Sequence, residues 1–318
     1  MPTDRLTLNP YRMTAAVEAV LAGTPVATAA AEADIHADNL DLAVQTYRAA
    51  GLTALQRRHE AAWIHVHIRP VDWNTAETAI RTQVALHLDQ LDGQTGWWFL
   101  RKHPYWRIRI RDAHPEAVRA LLDDLTTNGA IAGWKPGIYE PETGAFGGDT
   151  AMAIVHELFC ADSRGVLQYS GRPTPPIGRR ELSLLLIRAL LHHAGLDWYE
   201  TADVFDQVAQ MRPAPAAADT IRVERLATQM RPLLALPTVA HAAMFTSGGP
   251  CTDDEAWHAA FVAAGRKLAE TEHIGRLRRG IRAVLAQIVI FHWNRLDLPA
   301  HVQGILAHAA TAAILPRS

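Results

Sequence analysis

From Trp63 to Arg69 apolar Trp63, Ile64, Val66 and Ile68 are interleaved with His65, His67 and Arg69, and the run stops at Pro70. A period of two ended by proline predicts a half-buried strand. Residues 75–91 switch to the 3.6-residue period of an amphipathic helix, which Gly93 and Gly96 break. Apolar runs at 97–101 and 106–111, separated by the turn residues 102–105, predict a hairpin. A helix at 115–128 and a strand at 134–139 follow. The order strand, helix, strand, strand, helix, strand predicts an α+β layer with a mostly antiparallel sheet. After a loop at 140–149, helical periodicity takes over at 150–162, 179–194, 201–210, 221–236, 254–271, 275–294 and 299–312. The second half is therefore expected to be a helical body. The proline-rich stretches 172–176 and 212–215 are short enough to be loops within one fold.

Residues 13–57 read as two or three short helices, and 29–51 has a helix-turn-helix look, closed by Gly51. The expected organisation is an N-terminal helical extension, 1–57, and one α+β catalytic domain, 58–318. The second helix of the pair, 39–48, carries Asp41 and one basic residue, so phosphate contacts and base readers are both missing. A formal charge of -2 over 318 residues also argues against a DNA-binding protein. With 49% hydrophobic residues the chain can bury a large core. No stretch approaches the ~20 uninterrupted apolar residues of a membrane span, and the N-terminus has no targeting pattern, so the expectation is a cytoplasmic protein without membrane contact. Cys160 and Cys251 are too few for a disulfide framework and read as reduced, packed thiols.

Chemistry is suggested at several places. In WRIRIR, Arg107, Arg109 and Arg111 share one face of a strand, an arrangement that repels itself unless an anion is expected. Arg101, across the hairpin, would extend that patch. A solvated face with structural ion pairs is the equally weighted alternative. In FHWNRL, His292, Asn294 and Arg295 end a long apolar helix, as a proton-transfer site or as a satisfied core histidine. In YEPETGAFGG, Gly147 and Gly148 precede a helix start, to hold a carboxylate or simply to turn a corner, and Glu140 and Glu142 are candidate bases. Pairs such as His65 with His67, His192 with His193, and His156 with Glu157 lack a third ligand at matching spacing, so no metal is expected. Phosphate-loop, dinucleotide and GxSxG motifs are missing, and no cofactor is expected.

Read in order, WWFLRKHPYWRIRI, GIYEPETGAFGGDTAM, HELFCADSRGVL and IFHWNRLDLPA resemble the successive signature blocks of the thiopeptide-type bacteriocin biosynthesis domain, over residues 60–312. That domain is also the C-terminal elimination domain of class I lantibiotic dehydratases. The resemblance implies an enzyme that tailors a ribosomally synthesised peptide in antibiotic biosynthesis. Its lyase branch removes glutamate from glutamylated Ser or Thr to give dehydroamino acids. Its pyridine synthases join two dehydroalanines in a formal [4+2] cycloaddition and expel the leader. Implied partners are a precursor peptide with its leader and a separate tRNA-dependent glutamylating dehydratase subunit. Arg101 matches the family's FIRY arginine and His292 its HxNR histidine, which would grip the leaving glutamate and handle a proton.

Under the same resemblance Arg107, Arg109, Tyr139, Glu140, Glu142, Gly147, Gly148, Asn294 and Arg295 would line the peptide site. The family's RYGG loop carries an arginine, whereas here Ala145 and Phe146 precede the glycines. Arg164 or Lys102 would replace it, or the site has moved to cycloaddition, for which Tyr105, Tyr139, Glu140, Glu142, Tyr169 and Ser183 are the groups to examine. A non-catalytic escort that docks peptide through the N-terminal helices is the alternative of a different class.

Overall fold

The computed structural model describes residues 10–61, 63–93 and 96–315 (backbone alone over 53–61), in two compact units divided after Ala61. Residues 1–9, read above as lacking a targeting segment, lie outside the described residues. The first unit contains α1 (Pro10–Leu21), α2 (Val26–Glu32) and α3 (Ala37–Ala61) around a small core that includes Val17, Val20, Ala29, Ile35, Leu40 and Val44. Gly51 does not close α3, which runs on to Ala61. A glycine inside a helix costs only about 1 kcal/mol relative to alanine, a penalty that flanking Ala and Leu residues absorb.

The second unit begins with β1 (Trp63–Arg69) and a helical stretch made of α4 (Ala76–Ala79), a π-helical segment Ile80–Ala85 and α5 (Leu86–Leu88). There follow β2 (Gly96–Lys102), β3 (Tyr105–Arg111), α6 (Pro115–Thr127) and β4 (Gly133–Gly137). The strand order is β2-β3-β1-β4 and every pairing is antiparallel, the α+β sheet that the periodicity predicts. Lys102 pairs with Tyr105, so the hairpin loop is only His103 and Pro104, joined by a cis peptide bond.

The register sorts the side chains. Trp98 and His65 both lie opposite Arg109, and His67 lies opposite Arg107, so aromatic and basic groups share one sheet face. Val66, Ile68, Phe99, Trp106, Ile108 and Ile110 face the other way and are buried in one core cluster with Ile80, Val84, Leu88, Val118 and Leu122. Arg101 pairs with Trp106 in this register. It therefore lies on the face opposite Arg107, Arg109 and Arg111, and the expectation that it extends their patch is corrected by the alternation of the strand.

The outer edge of β2 is covered by α7 (Asp149–Ser170), where Ser163 Oγ accepts the Phe99 N–H at 3.1 Å. The helical body continues with α8 (Arg179–His193), α9 (Trp198–Gln210), α10 (Thr220–Leu234), α11 (Thr238–Ala243), α12 (Glu255–His273), α13 (Ile281–Arg295) and α14 (Ala300–Ile314). Helix α7 does not stop at Asp162 as the sequence suggested. Asp162 is fully buried and bonded, and Gly165 makes room for the Trp257 ring, with which any Cβ there would overlap. Helix α13 starts at Ile281 instead of near 275, because Gly275 takes a φ of +69° just past the end of α12. α13 buries side chains over nearly its whole length, the pattern of a central core helix. Both cysteines are buried, and burial pushes the Cys160 thiol up to about 12 and Cys251 to about 11, so both are held as thiols. Among the described residues no helix is long and apolar enough to cross a membrane.

Candidate active site

Where the basic sheet face meets α7 and the 140–149 loop there is a small cavity of about 30 Å³. Strands β2 and β3 supply Trp98, Leu100 and Arg109, the loop supplies Tyr139, Glu140, Glu142 and Phe146, and α7 and α13 supply Met152, Phe159 and Phe291. Phe291 stacks on Phe159 at 5.2 Å between ring centroids, and Phe146 meets both rings edge-on at 5.1 and 5.5 Å. The floor is thus aromatic, where electrostatic interactions are less screened than in water.

Arg109 is the charge in this chamber. It is 6% exposed, its guanidinium lies 4.3 Å over the Trp98 ring and 5.5 Å from the Tyr139 ring, and its Nη1 donates to the Arg107 carbonyl at 3.2 Å. Burial lowers its pKa to about 10, against the opposing pull of Tyr139 and Glu142, so it remains a cation at neutral pH. Arg109 Nε and Trp98 Nε1 are shut off from solvent without a hydrogen-bond partner. Both are donors. A buried donor without an acceptor costs of order 1–3 kcal/mol, and two of them beside a cation describe a chamber short of an acceptor-rich group. The Tyr139 hydroxyl is hydrogen-bonded to His156 Nε2 on α7 at 2.6 Å.

Beside the cavity the Arg295 guanidinium lies 4.2 Å over the Phe159 ring and belongs to a sealed network. Asp162 Oδ2 accepts from Arg295 Nε at 2.5 Å, and Asp162 Oδ1 accepts from His292 Nδ1 at 2.8 Å and from Trp257 Nε1 at 2.9 Å. Ser183 Oγ accepts from Trp293 Nε1 at 3.0 Å and is hydrogen-bonded to His292 Nε2 at 2.9 Å. Burial alone would raise the Asp162 pKa, but the facing His292 and Arg295 and their hydrogen bonds hold it below the ordinary carboxylate range. Burial lowers the Arg295 pKa against the same ion pair.

These contacts redistribute the residues singled out from the sequence. Arg109, Tyr139, Glu140 and Glu142 come together at the cavity. His292 does not line it: it has no exposed surface, and both ring nitrogens are engaged in the buried network. Ser183 shares that burial. Arg101 is likewise occupied, by Glu77 at 2.6 Å, by the Arg295 carbonyl at 2.9 Å and by the Trp106 ring at 4.5 Å, a brace between β2, α4 and the end of α13. Asn294 accepts from Gln303 at 2.9 Å, and neither it nor Arg295 lines the cavity. Gly147 and Gly148 turn a corner: their φ values are +84° and +105°, Gly147 packs against Leu277 and accepts the Arg278 N–H at 2.7 Å, and Gly148 caps α7. Arg107 remains half-exposed on the open sheet face, and Arg111 is tied to Glu157 at 2.5 Å.

Neither proposed substitute for the missing loop arginine reaches the loop: Arg164 is paired with Asp89 at 2.7 Å and Lys102 is at the hairpin end. Arg279 does, donating to the Ala145 carbonyl at 2.7 Å. Of the cycloaddition candidates, Tyr105 lies near His67 and Tyr169 donates to the Ile177 carbonyl at 2.8 Å, both outside the cavity lining. Sequence reasoning missed Trp98, Phe159 and Asp162, since nothing in a single sequence distinguishes a core aromatic that lines a site from one that does not. His65 was weighed only as a metal ligand; burial brings its pKa down to about 4 and its Nδ1 donates to the Ile138 carbonyl at 2.8 Å. Among the described residues no group of three or more His, Cys, Asp or Glu is placed to hold a metal.

Comparison with known proteins gives a family and a fold. No curated protein matches the sequence. Among solved structures, the tRNA-dependent lantibiotic dehydratase MibB from Microbispora sp. 107891 superposes with a TM-score of 0.57 at 18% identity, over 79% of this chain and 28% of MibB. The chain thus spans little more than a quarter of that protein. TsrL superposes with a TM-score of 0.55 at 15% identity, over 79% of this chain and 93% of TsrL. The pyridine synthase TbtD from thiomuracin biosynthesis gives 0.49 at 15% identity, over 80% and 97%. At such identities these likenesses concern the fold. The family model for the C-terminal part of lantibiotic biosynthesis dehydratases matches residues 63–314, most of the chain, and the protein belongs to that family.

Proposed function

We propose that this protein, a tailoring enzyme of ribosomally made peptides by family, removes glutamate from glutamylated Ser or Thr residues of a precursor peptide and leaves dehydroalanine or dehydrobutyrine. The observation that carries this reading is Arg109, a guanidinium buried on an aromatic floor with Nε unpaired and the unpaired Trp98 donor beside it. Such a chamber stabilises a carboxylate as it forms. In the elimination a base takes the Cα proton, that electron pair becomes the Cα=Cβ bond, the Cβ–O bond breaks and glutamate departs as its carboxylate. Arg109 receives the departing charge, and its burial on aromatic rings makes that contact strong. Tyr139, bonded to His156, is the group on the cavity wall placed to move the proton, with Glu140 and Glu142 close by. The glutamyl group would be installed by a separate tRNA-dependent dehydratase subunit, and the leader of the precursor would hold the peptide while successive residues react.

Cycloaddition of two dehydroalanines is the second reading. One feature favours it: Ala145 and Phe146 stand where the family's loop carries its arginine, and Arg279, which reaches the loop, spends Nη1 on a backbone carbonyl. Mass spectrometry of the protein incubated separately with a glutamylated-serine peptide and with a peptide bearing two dehydroalanines separates these readings. Loss of glutamate from the first supports elimination. A macrocycle with released leader from the second transfers the assignment to pyridine synthesis, and no change in either leaves a non-catalytic peptide-docking partner.

A further inference from the structure

A second pocket of about 410 Å³ opens beside the π-helical segment, on the side of β2 opposite the Arg109 cavity: Trp97 lines it, whereas the adjacent Trp98 lines the other. Three arginines reach it, Arg81, Arg164 and Arg172. Two are already neutralised. Arg164 binds Asp89 at 2.7 Å and lies 5.0 Å over the Trp97 ring, and Arg172 forks onto both oxygens of the buried Asp254 at 2.8 and 2.9 Å. Arg81 differs: among the described residues it makes no ion pair, and its Nε is shut off from solvent without an acceptor. Its guanidinium lies flat against Gly171, where an added Cβ would come within 3.1–3.2 Å of Nη1, Nε and Cζ, so the glycine keeps open the space the guanidinium occupies. Arg81 also sits in the π-helical stretch, a helix form that is rare and recurs at functional sites.

The charge balance defines the ligand. With Asp89 and Asp254 consumed, one positive charge is left uncompensated, which suits one carboxylate better than a dianionic phosphate. Of the remaining walls, Ala85, Leu86, Trp97 and Leu167 are apolar and Thr82 and Gln168 polar, which asks for a mainly apolar body. We propose that this pocket binds a carboxylate carried on an apolar body, with Arg81 as its cation and Leu86 and Trp97 in its wall. Two sources share that chemistry, a small organic acid and the free C-terminus of a peptide ending in an apolar residue.

Calorimetric titration of the full chain with 3-indolepropionate, with N-acetyl-Leu-Phe and with the amide of the same dipeptide tests it. At least one of the two acids is expected to bind at least 10-fold more tightly than the amide. Arg81→Gln is expected to weaken that binding by at least 10-fold with an unchanged melting temperature, since Arg81 holds no structural partner. Gly171→Val, which crowds the guanidinium, is expected to weaken it as well. Arg109→Gln is expected to leave it unchanged, because Arg109 lines the other cavity, on the opposite side of β2. Binding of 3-indolepropionate assigns the site to small acids, and binding of the dipeptide acid alone assigns it to a peptide end. Equal affinity for acid and amide, retention of binding in Arg81→Gln, loss of it in Arg109→Gln, or no binding of either acid at millimolar concentration overturns the proposal.

Discussion

Arg109 and Arg295 are both buried guanidiniums with unpaired nitrogens, Nε in Arg109 and both Nη in Arg295, and they differ in having a carboxylate partner. Arg295 has Asp162 at 2.5 Å, while Arg109 has a carbonyl, two rings and, among the described residues, no carboxylate within hydrogen-bond reach. Removing one member of a buried charge pair typically costs about 3–5 kcal/mol, because the survivor is left uncompensated. Asp162→Leu should therefore lose stability on that scale, read from denaturant midpoints, and His292→Leu should also be less stable because it removes one hydrogen-bond partner each from Asp162 and Ser183. Arg109→Gln removes a cation that no acid neutralises, so it should leave the midpoint within about 1 kcal/mol while abolishing turnover. His292→Leu showing a wild-type midpoint with no activity would instead return that histidine to the chemistry.

Among the elements, the strands were the most legible part of the sequence. Alternation in WIHVHIR and WRIRIR set which residues share a face, and the antiparallel register puts His65 opposite Arg109 as that alternation requires. The same rule, applied across the hairpin, was not enough for Arg101: its face depends on the two-residue loop, and that is a matter of register that composition does not carry. Helix ends were read less well where one residue has two meanings. Helix α7 runs past the predicted end at Asp162 and carries Gly165 as the clearance for Trp257, whereas Gly275 follows the end of α12. Gly165→Ala should lower stability by about 1–3 kcal/mol, the usual cost of overpacking a core, with Trp257 displaced from Asp162; a wild-type melting curve for this variant would contradict the packing described here.

Over the whole molecule, the fold was visible as an order of periodicities, whereas the site was visible only in part, because Arg109, Tyr139, Glu140 and Glu142 converge through tertiary packing of a loop on a sheet. The buried network was hidden for the same reason, since Asp162 and His292 are 130 residues apart in sequence. Burial also leaves a global signature. It holds His65, His241 and His258 at about 4, below the ordinary value of 6.5, so the folded state favours their neutral forms. The unfolded chain then binds more protons between these values, and stability is complete above about pH 6.5 and falls as the pH drops toward about 4. Melting temperatures between pH 7.5 and 4.5 should show this decline, and it should be smaller in His258→Phe, whose ring can keep the stack on Phe245.

The central claim is that Arg109 receives the departing carboxylate, and its most direct test is single-turnover release of glutamate from a glutamylated precursor peptide. Wild type should release it, Arg109→Gln should do so at least about 100-fold more slowly, the usual loss for one preorganised donor, and Arg107→Gln on the open face should be far less affected. Release by Arg109→Gln at the wild-type rate would contradict the account.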